Sequence, residues 1–224
     1  MGSNILFFNI IPFVVIEVRK IKSTPIYHVL HHTEKSFLTY MVKIYKQRGI
    51  NIITILMNWE LEFIRGNIPN LNLKIYISNE HILDIKQQIW IIKWWTCSTW
   101  RIITFLRIPR WIIKNLVKYI FIWINVFPPN ISVSNTCIPR AIINGNSPNF
   151  SKHCKIRFGD YAQTHKDKIP TKSMETRNCI AIDLGPTANL QGAYRFLFIH
   201  KVWNIFRKIF THLPTSDSII EWVK

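Results

Sequence analysis

The spacing of apolar positions changes several times along the chain, and each change predicts an element. ILFF (5–8) and PFVVIEV (12–18) are β-branched and aromatic runs joined by a turn at 9–11, and IYHVL (26–30) reads as a third short strand. From Thr33 the period becomes helical: TEKSFLTYMVKIYKQRG opens on a cap residue, places Phe37, Leu38, Met41, Val42, Ile44 and Tyr45 toward a core, and closes on Lys46, Arg48 and Gly49. INIITIL (50–56) is an unbroken apolar run, as expected of a strand buried on both faces. ELEFIRG (60–66) predicts one or two helical turns, LKIYI (73–77) a strand, and 81–98 a helix with Ile82, Ile85, Ile89 and Ile92 on one stripe. Pro109 opens a further helix that Pro128 and Pro129 stop after Phe127. The order β-β-β-α-β-α-β-α-α predicts a mixed sheet with helices on both faces.

Beyond residue 130 the pattern loosens. Residues 131–177 are rich in Asn, Ser, Pro and Lys and read as an irregular connection, with a short helix at PRAIING (139–145). KIRFGDYAQTH (155–165) suggests a bent pair of strands about Gly159. CIAIDLGPTANLQGAYRFLFI (179–199) is two apolar runs around a Gly/Pro/Asn turn, a hairpin signal. The expected organisation is therefore a core-forming α/β domain over 1–130, a connecting region over 131–177 and a small β-hairpin module over 178–224.

Charge narrows the function. The 224 residues carry 29 Lys and Arg against 12 Asp and Glu, a formal charge of +17, which points to a polyanionic partner such as nucleic acid or an anionic membrane surface. With 48% hydrophobic residues the chain is too apolar for a disordered basic tail. Cys97, Cys137, Cys154 and Cys179 are scattered, without the CxxC spacing of a zinc site or the density of a disulfide scaffold, and fit a reducing, intracellular compartment, nucleus or cytoplasm, rather than secretion. Transmembrane insertion is not expected. The stretch 5–16 is short and holds Pro12, and Lys114 and Lys118 interrupt the run from Trp111 to Phe127. No small-molecule substrate is expected either, because no phosphate-cradling Gly loop or nucleophile elbow occurs.

The stretch TILMNWELE (54–62) is more specific. An apolar run ends in Asn58 with Glu60 and Glu62 behind it, where many nucleases place a metal-binding carboxylate at a strand end. ILMNWELEF, NEHILDIKQQIWIIK (79–93), CIPRAIINGNSPNFSKHCKIRFGDYAQTH and AIDLGPTANLQGAYRFL together resemble the integrase region of copia-type retrotransposon polyproteins, a retroviral-type integrase core. The resemblance runs along nearly the whole chain, and the block 179–198 is specific to that lineage. It implies a ribonuclease H-like mixed sheet flanked by helices, followed by a small β-rich C-terminal module.

The same resemblance implies Mg²⁺-dependent DNA integration by phosphodiester strand transfer, with three carboxylates as ligands of two ions. Carried over by position, they fall on Asn4, just before the first strand, on Asn58 and on Lys86, with a separation of 86 − 58 = 28 between the last two. None is acidic, so the chain reads as a degenerate, catalytically dead copy without a metal, a pseudoenzyme. Two amides, one Lys, Gln87, Gln88, Trp90, Trp95 and Trp222 each differ from the family residue by a single C-to-T or G-to-A change, as expected of a decayed transposable element; Ala188, where the family has Gly, does not fit that rule. The interleaved Trp and Lys of WIIKWWTCSTW (90–100) read as a base-stacking surface or, more simply, as decayed Arg codons.

Other constellations are weaker. His28, His31 and His32 with Glu34 have metal-like spacing but fall on a strand-to-helix connection, Asp84 and the two Glu read as solvated acids, and His153 beside Cys154 reads as structural. Non-specific DNA binding is the activity the chain is expected to keep. Its carriers are Lys93, Arg101, Arg107, Arg110, Lys114 and Lys118 around the helices, with Lys152, Lys155 and Arg157 beyond them. The resemblance allows an oligomer and covers only the integrase part of a polyprotein, without its zinc-binding segment, protease or reverse transcriptase. Two alternatives stay open: a basic Trp/Lys-rich membrane-surface protein, and a decayed reading frame that is not translated.

Overall fold

A computed structural model describes residues 2–8, 11–18, 21–28, 34–58, 72–76, 83–105, 108–127, 138–165 and 177–215. They fall into two compact units, one of Met1–Trp95 with Ile120–Ser147 and one of Thr96–Tyr119 with Pro148–Lys224.

The first unit is built on a five-stranded sheet of order β3-β2-β1-β4-β5. Strands β1 (Gly2–Phe8), β2 (Ile11–Glu17) and β3 (Ile26–His28) pair antiparallel, whereas β4 (Thr54–Asn58) and β5 (Asn72–Tyr76) run parallel, β4 beside β1. Strand β2 is apolar at nearly every position because Phe13, Val14, Val15 and Ile16 are all fully buried, as a central strand covered on both faces requires. Consecutive buried residues in β4, Ile55 and Leu56, report the same two-sided cover. Helix α1 (Glu34–Gln47) buries Leu38, Met41 and Tyr45, one stripe at helical spacing, with Val18 and Ile21 in the same cluster as Met41 and Tyr45.

The strand expected over 50–56 starts four residues late, for a local reason. Gly49 adopts φ +74°, its N–H donates to the Lys46 carbonyl at 3.0 Å, and the Ile50 N–H donates back to the Tyr45 carbonyl at 2.9 Å. That pair of bonds is a Schellman closure of α1, so Ile50 ends the helix instead of opening a strand. The turn expected at 9–11 is shorter at its far end, since Ile11 already belongs to β2. The helix expected over 60–66 lies outside the described residues.

Helix α2 (Leu83–Ile102) buries Ile85 and Ile92 and half-buries Ile89; Ile82, the fourth member of the expected stripe, lies outside the described residues. Helix α3 (Arg110–Ile124) follows Pro109 and buries Ile112, Ile113, Leu116, Val117 and Ile120. Each such side chain contributes on the order of 1.5–3 kcal/mol by leaving water. Asn125, just past α3, is buried and fully occupied: its Oδ1 accepts from Thr24 N at 2.9 Å and Ser23 Oγ at 3.4 Å, and its Nδ2 donates to the carbonyls of Thr24 and Phe121. The short helix α4 (Pro139–Asn144) stands where the sequence placed it and ends on Gly145 at φ +78°.

The second unit holds a five-stranded antiparallel sheet of order β10-β6-β7-β8-β9, made of β6 (Tyr161–His165), β7 (Asn178–Pro186), β8 (Tyr194–Phe198), β9 (Trp203–Arg207) and β10 (Phe210–His212). Its core is Ile156, Ala162, Ala181, Tyr194 and Phe196, with Ile205 and Phe210 against it. The expected hairpin is β7–β8. The bent strand pair over 155–165 is not formed: only β6 is a strand, and residues before it make a turn. There Asp160 accepts from Arg157 N, the Gly159 N–H donates to the Asp183 carbonyl and the Asp183 N–H donates to the Asp160 carbonyl, so the backbone that would pair in a strand is used to clamp the turn onto β7. Strands β9 and β10 carry weak alternation, with Trp203, Asn204 and Phe206 exposed, and helix α5 (Phe150–His153) has four residues; none was legible as a periodic run.

Candidate functional site

Register brings two of the three degenerate positions together. β1 and β4 pair in parallel through Gly2–Leu56 and Ser3–Met57, and Asn4 and Asn58 are the next residues on the two strands. Asn4 is also opposite Val15 of β2, and Asn58 is opposite Tyr76 of β5. Asn4 was expected just before the first strand; it is the third residue of β1, because the strand starts at Gly2. Asn58 ends β4 as expected. Lys86 lies in the first turns of α2, exposed beside buried Ile85, and α2 is tied to the β2–β3 connection where Thr24 Oγ1 and Gln88 Oε1 lie 3.4 Å apart.

The chemistry of this donor set does not suit Mg²⁺. Two amides offer neutral oxygens and a Lys offers no lone pair, where the hard dication takes carboxylates. Among the described residues no group of three or more His, Cys, Asp or Glu could hold a metal ion. Glu60, Glu62, His31 and His32 lie outside the described residues. Sequence reasoning passed over one further acid on this sheet, Glu17, which is opposite Gly2 in register, buried, and paired with Lys22 at 3.0 Å. Its burial on an otherwise apolar strand could have signalled it.

The cations divide between the units. Lys93 is exposed on α2 in the first. Arg101, Arg110, Lys114, Lys118, Lys152, Lys155 and Arg157 all belong to the second, and all but half-buried Lys114 are exposed. Arg107 lies outside the described residues. The structure adds Arg195, which no spacing in the sequence singled out. It is half-buried on β8, its guanidinium donates to Asn115 Oδ1 at 2.9 Å, and partial burial lowers it from its ordinary range. Lys118 is lowered too, first by desolvation and then by the like charges of Arg195 and Lys114. Lys118 thus carries its charge beside two like charges, one on its own helix and one on β8.

Close to Arg195 lies a buried carboxyl group. Asp183 is completely enclosed, and burial pushes its carboxyl well above the usual range, with Asp160 adding to the shift while the Gly185 N–H and Arg195 oppose it. Its Oδ2 accepts from Gly185 N at 3.0 Å. His153, expected to be structural, is buried at the end of α5. Within the first unit a cavity of about 330 Å³ is lined by Phe37, Met41, Tyr45, Phe121, Asn125 and Arg140 among others. Among the described residues no helix is long and apolar enough to cross a membrane.

No protein-family model matches this chain, and no curated protein matches it. Among solved structures, a chain of the cryo-EM structure of the simian T-cell lymphotropic virus intasome in complex with PP2A regulatory subunit B56 gamma is similar at a TM-score of 0.44 and 10% identity, over 96% of this chain and 78% of that one.

Proposed function

We propose that this chain is the remnant of a copia-type retrotransposon integrase core: a ribonuclease H-like sheet that has lost its metal-binding carboxylates, performs no strand transfer, and keeps non-specific DNA binding through its cations. The observation that carries this reading is the strand order β3-β2-β1-β4-β5, antiparallel across the first three strands and parallel across the last three, with Asn4 and Asn58 each one residue past the Ser3–Met57 pair of β1 and β4. A ribonuclease H-like sheet has that order and brings its first two acids together there. Strand transfer by two metal ions needs both ions roughly 3.5–4 Å apart on shared carboxylates. A Lys at ~4 Å would repel a dication by several kcal/mol even at an effective dielectric of ~20. We therefore derive no catalytic step at these residues.

Charge supports the retained activity. With +17 over 224 residues, phosphate neutralisation and counterion release supply affinity without base reading. The test incubates purified protein with Mg²⁺ or Mn²⁺ and a donor DNA end. The expected outcome is no strand-transfer product, and robust transfer abolished by Asp84→Asn would show that the third acid is Asp84 instead of the position now held by Lys86. A readout independent of activity is melting temperature: the triple variant Asn4→Asp, Asn58→Asp, Lys86→Glu should gain a Mg²⁺-dependent rise that the natural chain lacks.

A further inference from the structure

Helix α2 turns its apolar stripe inward at Ile85 and Ile92, which are 1% and 0% exposed. On the opposite face it leaves two indoles in water. Trp90 and Trp94 are 63% and 59% exposed, their ring planes are parallel within 1°, and their centroids are 6.1 Å apart. Four residues apart on a helix, they sit one above the other and hold each other in an offset stack. At roughly 100° per residue, Lys86, Gln87 and Lys93 fall on this face too, and all three are exposed.

We propose that Trp90 and Trp94 form a stacking platform for unpaired nucleobases, so that the nucleic acid this chain binds best is single-stranded. The inference rests on the nucleic-acid reading above and names its substrate class. Indoles already stacked on each other lose little freedom when a base caps the pair, and an indole face accepts any base. Lys86 and Lys93, exposed on this face within about one turn of Trp90, supply counter-charges for the phosphates beside a stacked base. That charge complementarity separates this occupant from a purely apolar partner. A membrane surface would need a broad apolar stripe, whereas here exposed Lys86, Gln87 and Lys93 interrupt the face that carries the ring pair and Leu83.

The test compares the natural chain, Trp90→Ala/Trp94→Ala, and Lys86→Gln/Lys93→Gln on three probes: a labelled oligo(dT), a duplex of the same length, and vesicles rich in phosphatidylserine. All the altered side chains are exposed, and far-ultraviolet circular dichroism checks that the helix is kept. The double Trp variant should lose about tenfold or more in oligo(dT) affinity, with an unchanged salt slope and nearly unchanged duplex affinity. The double Lys variant should reduce the salt slope on both nucleic acids by one to two. Indole fluorescence should be quenched by oligo(dT) in the natural chain and much less in the Trp variant. Equal binding of oligo(dT) by the natural chain and the Trp variant would overturn the platform while leaving nucleic-acid binding intact. Failure of the natural chain to bind either nucleic acid would overturn both readings, and vesicle binding lost in the Trp variant without oligo(dT) loss would assign the rings to a lipid surface instead.

Discussion

Asn125 and Thr24, 101 residues apart, exchange two hydrogen bonds: Thr24 N donates to Asn125 Oδ1 at 2.9 Å, and Asn125 Nδ2 donates to the Thr24 carbonyl at 3.2 Å. A side-chain amide thus pairs with the peptide as a neighbouring strand would, and it fastens the segment after α3 to the connection between β2 and β3. Tyr45 joins the network by donating to Ser23 Oγ at 3.1 Å, and burial pushes its phenol up to about 12.

Asn125→Ala strips both partners from a completely buried Thr24. Leaving a buried N–H and C=O unsatisfied costs on the order of 1–3 kcal/mol each, less whatever the neighbours recover. Urea unfolding should show a midpoint lowered by about 2–4 kcal/mol of stability at an unchanged slope. A loss under about 0.5 kcal/mol would mean that water takes the place of the amide.

Ala188 sits at φ +60° in the β7–β8 loop, a conformation that costs a side chain with a Cβ about 1–2 kcal/mol. The lineage that the sequence resembles carries Gly there. Ala188→Gly should raise stability, by about 0.5 kcal/mol once the greater freedom of Gly in the unfolded chain is subtracted. Thermal unfolding of the two proteins side by side checks the sign.

Asp183 sets a pH dependence. Its carboxyl is raised above its ordinary value in the fold, so the folded state holds the proton more tightly than the unfolded one. The contribution to stability is fully present below the unfolded pKa and is lost as pH rises through the raised folded value. Asp183→Asn keeps an acceptor for Gly185 N and removes the buried charge. The difference in stability, variant minus natural chain, should therefore grow as pH rises above the ordinary carboxylate range, measured by urea unfolding at a series of pH values. A flat difference would mean that Arg195 compensates the charge fully.

Affinity for DNA should follow salt. If four to six of the cations touch phosphates, log K falls against log salt with a slope of roughly −4 to −5 and little sequence preference. The triple acid variant lowers the net charge by four (one each at Asn4 and Asn58, two at Lys86), so its non-specific affinity should weaken. Binding that ignores salt, or vesicle binding stronger than DNA binding at the same ionic strength, would move the charge to another partner.

The sequence by itself determined where several of the regular segments lie. β2, α1, α3, α4 and the β7–β8 hairpin are all visible as periodic runs with start and stop residues, because side-chain burial at period 2 or 3.6 is a local property. What pairs with what was decided only in three dimensions. The parallel partnership of β1 with β4, which puts Asn4 and Asn58 each one residue past the Ser3–Met57 pair, depends on hydrogen bonds between strands about 50 residues apart. The start of β4 was decided by a helix cap, since Ile50 N–H is taken by Tyr45. Edge strands β9 and β10 show little alternation because much of their surface faces water, so only pairing with β8 and β6 makes them strands. Chemistry divides in the same way. The amides at 4 and 58 and the ammonium at 86 are read directly from the residue types, whereas the like charge that Arg195 brings to Lys118 and the parallel indoles of Trp90 and Trp94 exist only because folding sets the distances on which charge and ring stacking depend.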